Sequence, residues 1–178
     1  QMCIRDRDVT LLPGTALRGS THIETGAVIG PRSTLTDTKV ASGASIVESV
    51  VTGSEVGMES TVGPFSFIRP GTRLAPRSKV GAYVEVKNSS IGEGSKVPHL
   101  SYVGDATIGE GTNIGAATIF VNYDGVDKHE AVVGDHVRIG SDTMIVAPVK
   151  IGDGAYTAAG SVITEDVPPG AIGVARAK

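Results

Sequence analysis

A chain of 178 residues with 16 basic and 19 acidic side chains, mixed along its length, carries a formal charge of −3, which argues against a nucleic-acid surface. No apolar run approaches ~18 residues, so nothing reads as a membrane span, and no secretory signal is visible. The lone cysteine, Cys3, excludes an intrachain disulfide framework and suits a reducing cytoplasm, where we expect the protein.

In chain order, residues 1–8 show no repeat and read as a leader, foreign or a linker. An aliphatic residue then returns every sixth position through Leu11, Leu17, Ile23, Ile29 and Leu35, and again through Val50, Val56, Val62, Ile68, Leu74, Val80 and Val86. The beat resumes in Val133, Ile139, Ile145 and Ile151. A period of six fits neither the helix period nor the alternation of a flat strand. It is the mark of a hexapeptide repeat, in which short strands and tight turns wind into a parallel β-helix. Each aliphatic points inward and rests on its counterpart one coil away, contributing ~1.5–3 kcal/mol when buried. A core built this way needs no aromatic bulk, which accounts for the absence of Trp.

Small side chains such as Ala27, Ser33, Ser60, Ser66 and Thr72 follow the aliphatics at a fixed interval. The beat slips at Leu35 to Val40, Ile46 to Val50, Val86 to Ile91 and Val103 to Ile108, which we read as deletions absorbed at corners. One longer break, at 121–132, predicts a loop projecting from the solenoid, where binding residues are expected. The hexads fade after Ile163. The expected organisation is a single elongated domain over 9–167, closed by a tail over 168–178.

Hexapeptide β-helices serve acyltransferases, appendages of nucleotidyltransferases and zinc carbonic anhydrases, so the fold alone leaves the activity open. The histidines His22, His99, His129 and His136 show no close pairing on a register that suits metal ligands, and no metal is expected. His99 has the richest surroundings, in K-V-P-H-L-S-Y-V-G-D (96–105). Before it stand P-F-S-F-I-R-P-G (64–71) and Y-V-E-V-K-N-S (83–89); after it stand N-I-G-A (113–116), N-Y-D-G (122–125) and I-G-S-D-T-M-I-V-A-P (139–148).

This ordered set resembles the C-terminal acetyltransferase domain of the bacterial bifunctional N-acetylglucosamine-1-phosphate uridyltransferase / glucosamine-1-phosphate N-acetyltransferase, over about residues 9–177. The resemblance implies a left-handed parallel β-helix of hexapeptide repeats, all-β, working as a homotrimer with sites between subunits and the 121–132 loop reaching a neighbour. It implies acetyl-CoA as co-substrate and glucosamine 1-phosphate as acceptor, a step towards UDP-N-acetylglucosamine for peptidoglycan and lipopolysaccharide. The general base then falls on His99, since a neutral imidazole can take the proton of an attacking amine. Arg69 and Lys87 match the sugar-phosphate ligands, and Tyr102 and Asn113 the sugar contacts. Glu85 matches a carboxylate that orients the amine or the base. Ala116, Asn122, Tyr123, Ser141, Ala159 and Arg176 match acetyl-CoA contacts.

Two departures stand out. Ala117 occupies a position often held by glycine, and Glu130 one where a basic residue is common. No nucleotide-loop signature of the uridyltransferase half occurs, so acetyl transfer is the reaction expected of this chain. The alternative is a catalytically silent trimerisation scaffold; partners of either form include no nucleic acid and no membrane.

Overall fold

The computed structural model describes residues 4–176; Cys3 lies outside the described residues. Among these the chain contains strands and turns only, so no helix is long and apolar enough to cross a membrane. Every pairing between named strands is parallel, as the hexad period requires, and the sheets stack one strand per coil.

The first sheet has nine strands, from Ile4–Arg5 to Val149–Ile151. The third also has nine, from Ala16–Arg18 to Val162–Ile163. The second runs through six strands, from Thr10–Leu11 to Lys96–His99. It then continues only as single-residue bridges, Lys96 to Asn113, Asn113 to Arg138 and Arg138 to Tyr156, before Tyr156–Thr157 pairs with Ile172–Gly173.

Equivalent aliphatics face each other across successive coils: Val62 against Val80, Ile68 against Val86, Leu74 against Ile91. These side chains are buried, and with Ile23, Ile29, Leu35 and Phe120 they form one continuous core along the solenoid axis. The small hydroxyl residues are buried as well and use their oxygens on the backbone of the next coil. Ser60 Oγ donates to the Ala75 carbonyl at 2.8 Å, and Ser95 Oγ to that of Gly109 at 2.6 Å. Among the described residues no buried side-chain polar atom lacks a hydrogen-bond partner, which is what a tightly packed corner demands.

Three details depart from the sequence reading. Val50 was expected inside, but it is 43% exposed and Val51 is the fully buried residue. The corner deletion therefore sits partly after residue 50, and the strand Val50–Thr52 presents its middle residue to the core. The stretch 1–8 is not wholly outside the repeat, because Ile4–Arg5 pairs with His22–Ile23 and begins the first sheet. The tail is also tied down: Ile172–Gly173 forms the last pairing in the second sheet, since a coil end left bare exposes an unpaired edge.

The break in the hexads is a small, self-bonded hairpin between the strands Ile119–Val121 and Ala131–Val133. Tyr123 and Lys128 form an antiparallel bridge, and the His129 amide donates to the Asn122 carbonyl at 2.8 Å. Asp124 closes the tip: its Oδ1 accepts from the amides of Val126 and Asp127, and its Oδ2 lies 2.7 Å from His129 Nε2. The bond to His129 and those two amides hold the Asp124 carboxyl far below the usual carboxylate range. Glu130 bonds to Thr107 on the first sheet at 2.7 Å and so anchors the base of the hairpin.

Candidate functional site

The third sheet's outer face gathers the candidate acceptor residues. In the register, Phe67 lies opposite Glu85 and Ile68 opposite Val86, which sets Arg69, just past its strand, beside Lys87 one coil on. Glu85 and Lys87 flank the buried Val86 and therefore share the outward face. Arg69 Nη1 bonds Glu85 Oε1 at 2.8 Å, and its guanidinium rests 5.9 Å from the Phe67 ring centroid.

Lys87 is only 19% exposed and pairs through Nζ with Asp105 Oδ2 at 3.1 Å. Asp105 also accepts from Asn88 Nδ2 at 2.7 Å and from Asn122 Nδ2 at 2.5 Å. Asn122 Nδ2 in turn lies 3.4 Å from the Tyr102 hydroxyl. Gly104, opposite Lys87 in the register, leaves the room this cluster needs, because a Cβ there would collide with the Tyr102 ring and the Asn122 amide.

The hairpin adds a third cation. Lys128, exposed on the hairpin, feels the charges of Lys87 and Arg69. The nearby Lys87 ammonium pushes the exposed Lys128 ammonium below its ordinary value. Burial pulls Lys87 down, but its bond to Asp105 and the Asp105 charge prevail and hold it above the ordinary lysine value. Burial pushes the Asp105 carboxyl up, yet hydrogen bonds from Asn88, Asn122 and Lys87 outweigh it and hold it low. Three cations on one face, two already matched to carboxylates, make a place where an incoming phosphate can exchange protein partners for its own.

Sequence reasoning missed Asp105 and Lys128. Asp105 had little signal: the local coil is 17 residues long and puts Gly104 opposite Lys87, so Asp105 lies one position beyond the register partner. Lys128 had none, since only the folded hairpin turns it back onto the sheet.

The candidate coenzyme residues occupy a different place. Ala116, Ser141, Ala159 and Arg176 follow one another up the corner between the second and third sheets. The Asp142 amide donates to the Ala116 carbonyl at 2.7 Å, and the Gly160 amide to that of Ser141 at 2.9 Å. Arg176 packs its side chain near Gly160, within 3.8 Å of where a Cβ on that glycine would lie. Ser141, Ala159 and Arg176 are exposed, so the column forms an open track along the coils. A Cβ on Gly140 would lie 2.5 Å from the Ala159 amide nitrogen, a measure of how closely backbone meets backbone there. Ala117, beside the track, has a φ of 58°, the left-handed conformation that glycine adopts most easily. Tyr123 stands on the hairpin, exposed, its hydroxyl donating to the Gly125 carbonyl at 2.7 Å.

His99 ends the strand Lys96–His99 on the second sheet, exposed, and its ring forms no hydrogen bond with the described residues. Asn113 lies on that sheet too, bridged to Lys96. The corner residue Leu100 stands between His99 and the third sheet. Within one chain, then, Arg69, Glu85, Lys87, Tyr102 and Asn122 come together, while His99 and Asn113 face out from the neighbouring side. No group of three or more His, Cys, Asp or Glu among the described residues is placed to hold a metal ion.

Comparison with known proteins gives this arrangement a context. Residues 130–165 match the family model described as bacterial transferase hexapeptide (six repeats). The chain is 61% identical over 171 residues to the bifunctional protein GlmU of Streptomyces coelicolor, covering 96% of this chain and 36% of that protein. The chain is a relative of GlmU. The Streptomyces avermitilis GlmU is 63% identical over 170 residues, 96% of this chain and 35% of its own length. The chain thus spans about a third of the length of these curated relatives. Among solved structures, a protein of Desulfovibrio desulfuricans G20 assigned as an acetyltransferase superposes with a TM-score of 0.58 at 14% identity, covering 96% of this chain and 56% of that one. At that identity the likeness speaks for the β-helix alone. GlmU similarity, by contrast, covers 96% of this chain at 61–63% identity.

Proposed function

We propose that this chain transfers the acetyl group of acetyl-CoA to the 2-amine of glucosamine 1-phosphate, giving N-acetylglucosamine 1-phosphate and free CoA. The observation that carries this reading is the cluster of Arg69, Lys87 and Lys128 on one face, beside the amide of Asn122 and the hydroxyl of Tyr102, in a chain so similar to GlmU. A dianionic phosphate takes charge-assisted bonds from the cations, which orients the sugar amine.

In the reaction the amine lone pair attacks the thioester carbonyl and the C–S bond breaks. His99 accepts the amine's proton as the C–N bond forms and passes it to the departing thiolate. Glu85, bonded to Arg69, holds that guanidinium in place for the phosphate. The track of Ala116, Ser141 and Ala159 offers a pantetheine arm close backbone approach, with Arg176 positioned for a CoA phosphate, and Asn122 and Tyr123 are read as further coenzyme contacts at the hairpin. The test is direct: purified protein given glucosamine 1-phosphate and acetyl-CoA releases free thiol, and release no greater than without the sugar phosphate overturns the proposal.

The working unit is a homotrimer. Phe65, Tyr83 and Leu100 follow one another up the corner between the second and third sheets, exposed by 52%, 60% and 60%. Phe65 and Tyr83 stack at 5.3 Å, and Val50 and Phe67 extend the apolar patch. Bare aromatic surface of this kind marks an interaction site. Because it separates His99 from Lys87 on the same chain, a second copy packed against it can bring one copy's His99 to another's cations. Light scattering at working concentration is expected to give three chains per particle; a fully active monomer rules this out.

A further inference from the structure

Asp105 has no assigned part in the chemistry above, yet more of the cluster depends on it than on any residue that touches substrate in that scheme. Its carboxylate takes donors from three directions: Lys87 on the third sheet, Asn88 at the corner below, and Asn122 at the root of the hairpin. Its side chain is only 13% exposed, so water is a poor substitute for any of them. Lys87 belongs to the acceptor group of residues and Asn122 to the coenzyme group. Asp105 is the one side chain among the described residues bonded to both.

We propose that Asp105 is a positioning residue that fixes Lys87 and Asn122 relative to each other and supplies the negative charge that matches Lys87. A largely buried ammonium near other cations is costly, and an adjacent carboxylate offsets that cost where burial thins out the water. The charged and titratable groups facing Lys87 are Asp105, Lys128, Tyr102 and, one coil below, Arg69 with its partner Glu85. Among the described residues only Asp105 is bonded to Lys87 with opposite charge. Its contribution rests on the proposed acetyl transfer for its kinetic meaning, but not for its structural one.

Two substitutions separate charge from geometry. Asp105→Asn removes the charge and keeps an acceptor for Asn122, with the half-exposed Asn88 free to turn its amide. Asp105→Ala removes both. Asp105→Asn is expected to raise KM for glucosamine 1-phosphate on the order of tenfold, the effect of weakening one charge-assisted contact. It is expected to leave KM for acetyl-CoA within about threefold, as fits a preserved bond to Asn122. The alkaline limb of kcat/KM for the sugar phosphate should move to lower pH, because Asp105 is what holds Lys87 protonated above its ordinary range and the phosphate needs it charged. Asp105→Ala should raise both KM values. A general loss of folding moves both KM values in both variants and leaves the limb where it was, and that result overturns the proposal.

Amide hydrogen exchange of the ligand-free protein reads the same bond without any assay. Residues 122–129 should exchange faster in Asp105→Ala than in wild type, and near the wild-type rate in Asp105→Asn. Unchanged exchange in Asp105→Ala overturns the proposal even if acetyl transfer is normal. Absence of acetyl transfer by wild type, with faster exchange in Asp105→Ala, overturns the reaction and leaves Asp105's hold on the hairpin standing.

Discussion

His99→Ala is expected to lower kcat by ~10²–10⁴, with KM for either substrate changing little. An amine that attacks a thioester must lose a proton as it bonds, and without a base that proton is lost to water at a much higher barrier. Imidazole is the side chain whose neutral form is available near neutral pH. The structure puts His99 at the end of the strand Lys96–His99, exposed, with no hydrogen bond from its ring to the described residues. Its removal therefore strips no packing or ion pair from the chain, and melting temperature should stay close to wild type. Single-turnover measurement distinguishes loss of the chemical step from slow product release. Activity within a few fold of wild type would mean that another base, or simple ionisation of the amine, carries the step.

The solenoid was legible because inward positions recur. Each hexad puts one aliphatic in the core, and the observed core follows the beat at Ile23, Ile29, Ile68, Val86, Val133 and Ile145. The error at Val50 has a physical source: two adjacent valines satisfy hydrophobicity equally, and only the corner geometry decides that Val51 turns inward. Outward contacts were much harder to read. Arg69 meets Glu85 across 16 positions, Asn122 meets Asp105 across 17, and Lys87 meets Asp105 across 18. Ile68 pairs with Val86 at 18 positions and Lys87 with Gly104 at 17, yet the side chains of Arg69 and Lys87 reach diagonally to neighbours of those register partners, so a fixed repeat length cannot name the contacts. The resemblance pointed to Arg69, Lys87, Tyr102 and Asn122, which the fold gathers. It gave no signal for Asp105 or Lys128, whose places follow from coil length and from a hairpin held by Asp124 and His129. Nor did it reveal that His99 and the cations face out from different sides of one chain.

Arg69→Ala and Lys87→Ala should each lower kcat/KM for glucosamine 1-phosphate by roughly 10–150-fold, equivalent to about 1.5–3 kcal/mol for one charge-assisted contact. Each change also leaves a carboxylate without its cation, Glu85 in the first case and Asp105 in the second, and both then repel the phosphate. The losses therefore belong at the upper part of that range. The apparent KM for acetyl-CoA should hardly move in Arg69→Ala, whose contacts are with Glu85 and Phe67 and not with the coenzyme track. Lys87→Ala allows a modest rise, since Asp105 loses one of the bonds that fix Asn122's neighbour. Free glucosamine has no phosphate for these cations to grip. It should be a poor acceptor for wild type and lose little more in either variant. Measuring both acceptors with both variants decides the role of the two cations: if free glucosamine suffers as badly as its phosphate, Arg69 and Lys87 support the fold or the base and do not bind the phosphate.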